Sequence, residues 1–512
     1  MNSLDWNEHR LSQVESYQLS FDFNSIKWSA LIEWSLPINL LNFLSESPQQ
    51  PHSFFIYLGI LIMSKLSVAK FGGTSVANFD AMSLCANIVT NDPNTRVVVL
   101  SASAGVTNYL VELANGCEKE RRDEILEAVR TIQYNIIDKL AEPSSVRAEI
   151  DTVLAHIKSL AESASLATSA ALADELICQG EMMSTKIFTQ LCKERGYPAV
   201  WLDVRELIAT DSQFGKAAPN DEKTKAQSDA LLKPLIAEGK VAITQGFIGR
   251  DEEGKTTTLG RGGSDYSAAL LAEVLDADDV LIWTDVPGIY TTDPRVAPAA
   301  KRIDTMAFNE AAEMATFGAK VLHPATLLPA VRSNIPVYVG SSKAPEQGGT
   351  WVTRDPQPRP TFRAIALRRN QTLVTLSSLS MLHAKGFLAN VFAILAKHNI
   401  SVDVITTSEV SVALTLDKTG SASTGTDLLS PALLEELNDY CHVQVENDLA
   451  LVAIIGNHLH TQAGVAKRLF HTLENYNIRL ISYGASTNNV CTLVKNSEAD
   501  EIVRSLHAAL FE

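Results

Sequence analysis

A chain of 512 residues, 46% apolar and only 7% aromatic, has room for two to four domains of α/β character and is too apolar to be disordered as its main state. Its formal net charge of −16 lacks the basic footprint that a nucleic-acid backbone or an anionic lipid surface demands, so nucleic acid and membrane are excluded as first readings. The six cysteines, Cys85, Cys117, Cys178, Cys192, Cys441 and Cys491, show no C-x-x-C spacing and sit mostly in apolar stretches, which favours reduced core thiols in a cytoplasmic protein over disulfides or zinc.

Residues 1–62 read differently from the rest. They hold Trp6, Trp28 and Trp34, a Ser/Asn/Gln-rich middle, and an apolar run over 54–62 that falls short of the about 20 residues needed to span a bilayer. No basic residue closely precedes that run and no small-residue cleavage site follows it, so a secretory signal fits poorly. At Met63 the text changes to a short alternating strand, Ser-Lys-Leu-Ser-Val-Ala-Lys. The expectation is a non-family extension over 1–62, disordered or not translated, with the functional chain starting near Met63.

From there to about Ser342, short apolar runs at 66–69, 97–100, 199–202, 241–244, 280–283 and 337–339 alternate with longer amphipathic ones. The runs mostly lack the polar alternation of a half-exposed sheet and read as buried strands. Between the first two, Phe79, Met82, Cys85, Ile88 and Val89 recur at helical spacing behind Asn78, a plausible N-cap. Strands spaced by helices imply right-handed crossovers and a mostly parallel sheet with helices on both faces. Ligands of such folds lie at the carboxyl ends of the strands.

Four turns at such ends carry unusual chemistry. Lys70-Phe71-Gly72-Gly73-Thr74-Ser75 offers adjacent glycines that let a polyphosphate approach the backbone, and a lysine charge beside them. A plain tight turn would look the same. Ser101-Ala102-Ser103-Ala104-Gly105-Val106-Thr107 presents small hydroxyls, or merely caps a helix. In Gly180-Glu181-Met182-Met183-Ser184 a carboxylate interrupts an apolar helical run; it is either solvated or holds an ammonium group. Gly260-Arg261-Gly262-Gly263-Ser264-Asp265 surrounds one arginine, suited to clamping a carboxylate, with three glycines and sets Asp265 at a helix start. A Walker A pattern occurs once, from Gly249 to Lys255-Thr256, but Asp251, Glu252 and Glu253 would face the phosphates and a strand rather than a helix follows; a solvated hairpin is the better reading. No G-x-G-x-x-G dinucleotide fingerprint occurs, which disfavours an NAD-linked dehydrogenase.

Together with the strand-turn Trp283-Thr284-Asp285-Val286-Pro287-Gly288-Ile289-Tyr290-Thr291-Thr292-Asp293-Pro294-Arg295, these blocks resemble the aspartokinases of the amino acid kinase family, and the likeness covers Met63 to the last residue. The resemblance implies an amino acid kinase fold over 63–350, ATP and L-aspartate as substrates, and Mg2+ carried with ATP. It assigns Lys70, Gly72 and Gly73 to the phosphates, and Thr284, Asp285, Tyr290, Arg295 and Lys320 to the rest of the nucleotide site. Arg261 would take the α-carboxylate of aspartate and Glu181 its α-ammonium, with Ser101, Thr107, Gly262 and Ser264 around the substrate. Asp265 is read as an organiser of Lys70 or of the metal-nucleotide. His323, before Pro324, is read as a structural hydrogen-bonder. Other acyl acceptors within the family, and a non-catalytic amino-acid sensor, stay open.

After a Pro-rich linker, taken as 351–362, lies an internal repeat. Placing Gly386 on Gly464 matches Phe392 with Phe470, Leu395 with Leu473, Asn399 with Asn477, Ile400 with Ile478, Ser408 with Ser486 and Val412 with Val490. The repeat resembles tandem α+β ACT domains, taken as 363–447 and 448–512, which bind amino acids between copies and suggest a homodimer, or a dimer of dimers, through this half. Only the first copy carries two acids near the expected pocket, Asp403 and Glu409, where the second has Ile481 and Thr487. Two acids suit a ligand with two ammonium groups, L-lysine, as inhibitor. Met381, His383, Phe387, Leu388, Val402, Asp403, Thr407, Ser408 and Glu409 match the lysine-sensitive class, while Ala384 stands where a serine is expected.

Overall fold

The structure is a computed structural model that describes residues 65–512 except 261, 320–321, 323–327, 382–384 and 417–428. The extension 1–62 therefore lies outside the described residues, as does His323.

The six apolar runs form strands. They are β1 (Ser67–Phe71), β2 (Thr95–Leu100), β3 (Ala199–Trp201), β4 (Val241–Gln245), β7 (Asp279–Thr284) and β9 (Val337–Ser341). Between them lie the short hairpin strands β5 (Ile248–Arg250) and β6 (Thr256–Thr258) and the peripheral β8 (Thr305–Ala307); β10 (Gly349–Thr353) follows β9. The main sheet runs β3-β4-β2-β1-β7-β9-β10-β8, with every pairing parallel except the antiparallel β9–β10. β1 is buried along its whole length because helices cover both faces, and this is why these strands read as nearly unbroken apolar runs.

Side chains alternate between two cores. Val68, Val97, Val99 and Ala242 pack with Leu232, Ala268 and Ala311, from the helices Asp221–Ala237, Gly263–Val274 and Phe308–Thr316. Phe71, Val98, Leu100 and Ile243 pack with Met82, Leu110, Ile125, Ile150 and Phe188, from five helices on the other face. Each of the Val, Leu, Ile, Met and Phe side chains among these, fully buried, contributes roughly 1.5–3 kcal/mol. The Phe79–Asn91 helix starts where the sequence places it, with the Asn78 side chain accepting from the Ala81 N–H at 2.9 Å. The Walker-like segment is the β5–β6 hairpin. It differs from a fully solvated turn in one respect: Asp251 is buried and accepts from the Glu253 and Lys255 N–H groups, while Glu252 and Glu253 remain exposed.

The C-terminal half is one antiparallel six-stranded sheet ordered β12-β13-β11-β14-β16-β15. Its strands are β11 (Phe362–Ser377), β12 (Val402–Thr407), β13 (Ser411–Leu416), β14 (His442–Gly456), β15 (Leu480–Tyr483) and β16 (Asn489–Lys495). Both repeat helices, Phe387–Lys397 and Val465–Thr472, start from a glycine at φ 87°, Gly386 and Gly464, a conformation that costs other residues energy. β11 and β14 pair along nearly their whole length and serve both copies. The 372–377 part of β11 meets β13 of the first copy, while the 449–455 part of β14 meets β16 of the second. β14 thus runs straight through residue 447.

Buried polar contacts join the two halves. Glu310, fully buried at the start of the Phe308–Thr316 helix, accepts from the Arg363 Nε at 2.8 Å and the Asn457 Nδ2 at 2.6 Å, and its other oxygen takes the Ala307 N–H. One turn on, Glu313 accepts from Ser486 and Asn489. Among the described residues no helix is long and apolar enough to cross a membrane.

Candidate active site

Parallel register brings the carboxyl ends of β1, β2, β4 and β7 to one edge. Phe71 stands opposite both Leu100 and Trp283, and Leu100 opposite Gln245. The chain then turns at each of those ends, and backbone bonds lock the turns together: Gly72 N–H to Trp283 O, Ser101 N–H to Phe71 O, Ala104 N–H to Gly73 O, and Gly246 N–H to Leu100 O. Two glycines are needed for closeness. A Cβ on Gly73 would lie 2.8 Å from the Ala102 carbonyl oxygen, and one on Gly246 would lie 2.5 Å from the Ser264 Cβ.

Lys70, at the end of β1, is 9% exposed, and its Nζ lies 2.5 Å from the Asp265 Oδ1 in the first turn of the Gly263–Val274 helix. That helix starts from Gly262 at φ 77°, so a left-handed residue swings Ser264 and Asp265 in over β1. Asp265, read from the sequence as an organiser of Lys70 or of the metal-nucleotide, is ion-paired with Lys70. A carboxylate at a helix N-terminus is favoured by the helix dipole and holds the lysine charge near the glycine turn.

Glu181 enters from the opposite face, in the first turn of the Gln179–Glu194 helix. It is 3% exposed; Oε1 accepts from the Ala102 N–H at 3.0 Å, and Oε2 is buried with no hydrogen-bond partner. Burial pushes its carboxyl up to about 8, with the Ala102 bond pulling the other way. Of the two readings the sequence left open, solvation is therefore out. The Ala102 peptide joins the parts, its N–H on Glu181 and its carbonyl against Gly73. Ser184 Oγ donates to the Ser101 carbonyl at 2.8 Å, fixing the same turn. Ser101 and Thr107 are half-buried beside it.

The structure thus gathers Lys70, Gly72, Gly73, Ser101, Glu181, Gly262, Ser264 and Asp265 around one strand edge. Thr284 and Asp285 leave β7 at that edge, and Tyr290 is held through a bridge to Arg302. Arg295 is not drawn in: its side chain is 87% exposed and paired with Asp293 at 2.7 Å. Arg261 and Lys320 lie outside the described residues.

One residue of this region escaped sequence reasoning. Asp174 is buried and accepts from the Gly215 N–H, the Thr258 N–H and the Thr258 hydroxyl, all at 2.8 Å, anchoring β6 just before Gly260. Burial raises its pKa while these bonds oppose the rise. Its signal was the same as that of Glu181, an acid inside an apolar helical run.

In the C-terminal half, Phe387, Leu388, Val402, Asp403, Thr407, Ser408 and Glu409 fall on one helix start, on β12 and on the turn after it, and Met381 ends a short 3-10 turn ahead of that helix. His383 and Ala384 lie outside the described residues. Asp403 pairs with Arg368 of β11 at 3.2 Å, a partner the sequence reading did not foresee. Ser408 is bonded to Ser411, and Glu409 is exposed.

Comparison with known proteins agrees with this architecture. Residues 65–341 match the amino acid kinase family, and residues 452–510 match the ACT domain. The chain is 61% identical over 450 residues to lysine-sensitive aspartokinase 3 of Escherichia coli, covering 88% of this chain and all of that protein. It is 35% identical to the chloroplastic aspartokinase 3 of Arabidopsis thaliana, covering 87% of this chain and 81% of that one. Among solved structures, E. coli aspartokinase III with aspartate and ADP superposes with a TM-score of 0.81 at 60% identity, over 88% of this chain and all of the other. The same enzyme with lysine and aspartate gives 0.77 at 60% identity, over 87% of this chain and all of the other. By sequence, domain content and fold, the chain belongs to the aspartokinases of the amino acid kinase family.

Proposed function

We propose that the protein is an aspartate kinase, transferring the γ-phosphoryl group of ATP to the β-carboxylate of L-aspartate, with L-lysine as inhibitor. The observation that carries this reading is the pairing, across the Ala102 peptide, of a buried carboxylate with an open oxygen and a glycine turn next to a buried lysine. A buried carboxylate with a free oxygen is costly unless a ligand completes it, and an ammonium group does so best. Glu181 therefore receives the α-ammonium of aspartate, and Arg261 its α-carboxylate.

The attacking β-carboxylate, with a pKa of about 3.9, is already ionised at neutral pH, so no general base is required. What remains is to bring two anions together and neutralise the charge that spreads over the transferring phosphoryl oxygens. Lys70 supplies that charge from the glycine turn, and Asp265 keeps it there. Gly72 and Gly73 offer backbone approach to the phosphates, and Thr284, Asp285, Tyr290 and Lys320 line the rest of the nucleotide, which Arg295 joins only by leaving Asp293. Ser101, Thr107, Gly262 and Ser264 surround the substrate. Magnesium enters with ATP as part of the substrate.

The catalytic domain spans 63–350, and the two ACT units, taken as 363–447 and 448–512, are not separable at that cut because they share β11 and β14. The first unit takes L-lysine on Asp403 and Glu409, with Met381, His383, Ala384, Phe387, Leu388, Val402, Thr407 and Ser408 around it. The protein works in the cytoplasm as a homodimer through the ACT units. An ATP-dependent hydroxamate assay across aspartate, glutamate and acetylglutamate tests the substrate assignment. Product with aspartate is expected; product with glutamate and none with aspartate would overturn it.

A further inference from the structure

The nucleotide segment that leaves β7 is braced from the far end of the chain. Thr291, next to Tyr290, is 8% exposed, and each of its polar atoms is engaged. Its N–H bonds to Lys301 O, its carbonyl accepts from the Ile365 N–H, and its hydroxyl oxygen accepts from the Lys301 N–H at 3.0 Å. The same hydroxyl lies 2.9 Å from Nε2 of His507, a fully buried histidine of the Ala499–Phe511 helix in the second repeat. His507 Nδ1 lies 3.2 Å from the Glu512 carboxylate, and the ring stacks on Phe511 with centroids 5.1 Å apart. Two more bonds join that helix to the segment, Lys301 Nζ to Phe511 O at 3.0 Å and Arg504 Nη1 to Val296 O at 3.4 Å.

The proton inventory is closed. The Glu512 carboxylate only accepts, so in the neutral ring the proton belongs on Nδ1 and Nε2 offers a lone pair. Thr291, whose oxygen already accepts from Lys301, donates its one proton there. Nothing is left over for a ligand, so His507 is not a group that touches substrate.

We propose that His507 is a positioning residue for nucleotide binding: from the second repeat it fixes Thr291, and so fixes the segment that presents Tyr290 to the nucleotide. The proposal rests on the assignment of Tyr290 to the nucleotide site. A buried hydroxyl deprived of its acceptor is left desolvated and unpaired, and the segment then relaxes to other arrangements. Only the fraction still in the competent arrangement then binds at full strength.

The test is ADP binding by titration calorimetry, with steady-state KM values for both substrates, on full-length wild type, His507→Leu, His507→Gln and Thr291→Val. His507→Leu should weaken ADP binding and raise the ATP KM by about threefold to tenfold, leaving the aspartate KM within about twofold. His507→Gln, whose amide oxygen can stand where Nε2 stood, should recover most of the loss. A merely structural histidine would lower the melting temperature of His507→Leu and leave ADP affinity at the wild-type value, which overturns the proposal. Should His507→Leu fail to fold, Thr291→Val removes the same bond from the other side: weaker ADP binding supports the proposal, and unchanged binding overturns it. A wild type that binds no ADP would remove the nucleotide assignment itself. Wild-type binding with unaffected variants would remove only the role of His507.

Discussion

Two ionisable residues of the site differ in what they ask of the protein around them. Lys70 has a partner of opposite charge in place, the Asp265 carboxylate at 2.5 Å. Glu181 has one bond, one open oxygen, and a carboxyl pushed up to about 8 by burial. Lys70→Ala should lower kcat by on the order of 10²-fold or more with aspartate affinity nearly intact, the signature of a lost electrostatic donor. Arg261→Ala should instead raise the aspartate KM. Equal and small effects on steady-state kinetics would put the site elsewhere. Glu181 makes a different prediction. Its folded pKa is raised above the unfolded value of about 4.3, so its contribution to stability is full below that value and is lost as pH rises towards about 8. Glu181→Gln should therefore gain on the wild type in urea midpoint between pH 5 and pH 8. At pH 7 the free protein holds Glu181 mostly neutral, and an arriving ammonium drives the proton off. Aspartate binding should release up to about one proton at pH 7, read by calorimetry in buffers of different ionisation enthalpy. No release from the wild type, or equal release from Glu181→Gln, would contradict the placement of the ammonium.

At the scale of elements, what the sequence makes legible follows from local physics. Buried parallel strands announce themselves as apolar runs, and Asn78, Gly386 and Gly464 mark helix starts because their side chain or conformation is needed there. The turns of the site are legible because folding alone rarely asks for paired glycines and a charged residue together at the end of a buried strand. The partners are what stayed hidden. Asp174 reaches Thr258 across 84 positions, Glu310 reaches Asn457 across 147, and Arg368 meets Asp403 across two strands. No local pattern encodes such pairs, since each depends on how the sheets stack. The sharing of β11 and β14 was hidden for the same reason, because a long strand reads alike whichever copy it completes. Glu310 gives the test at this scale. Arg363→Ala leaves its carboxylate buried with Asn457 and the Ala307 N–H but no cation. The variant should lose roughly 3–5 kcal/mol by urea denaturation, as when one partner of a buried pair is removed. A loss under about 1 kcal/mol, the range of an exposed pair, would mean that the junction does not hold the halves together.

Across the whole molecule, the question is how a ligand on the first repeat reaches a site in the other half. Asp403 is not idle in this structure: Arg368 lies 3.2 Å away, and burial raises the carboxyl pKa while that cation pulls it down. Arg368 belongs to β11, the strand that also carries Arg363, and Arg363 grips Glu310 at the head of the Phe308–Thr316 helix. An ammonium group arriving at Asp403 must share the carboxylate with Arg368, so ligand binding acts on β11 as well as on β12. If lysine favours an inactive arrangement by such contacts, inhibition scales with its differential affinity for the two arrangements, and substrates must weaken lysine binding by the same factor. Asp403→Ala should therefore raise the lysine concentration for half inhibition by about tenfold or more, the loss of one charge-assisted contact of roughly 1.5–3 kcal/mol, while uninhibited kcat and both KM values change little. Threonine, with a single ammonium group, should inhibit neither protein at millimolar concentration. Inhibition curves with both amino acids on wild type and Asp403→Ala decide the matter: wild type inhibited by threonine and indifferent to lysine would remove the effector assignment, and an Asp403→Ala curve lying on the wild-type one would move the lysine site away from β12.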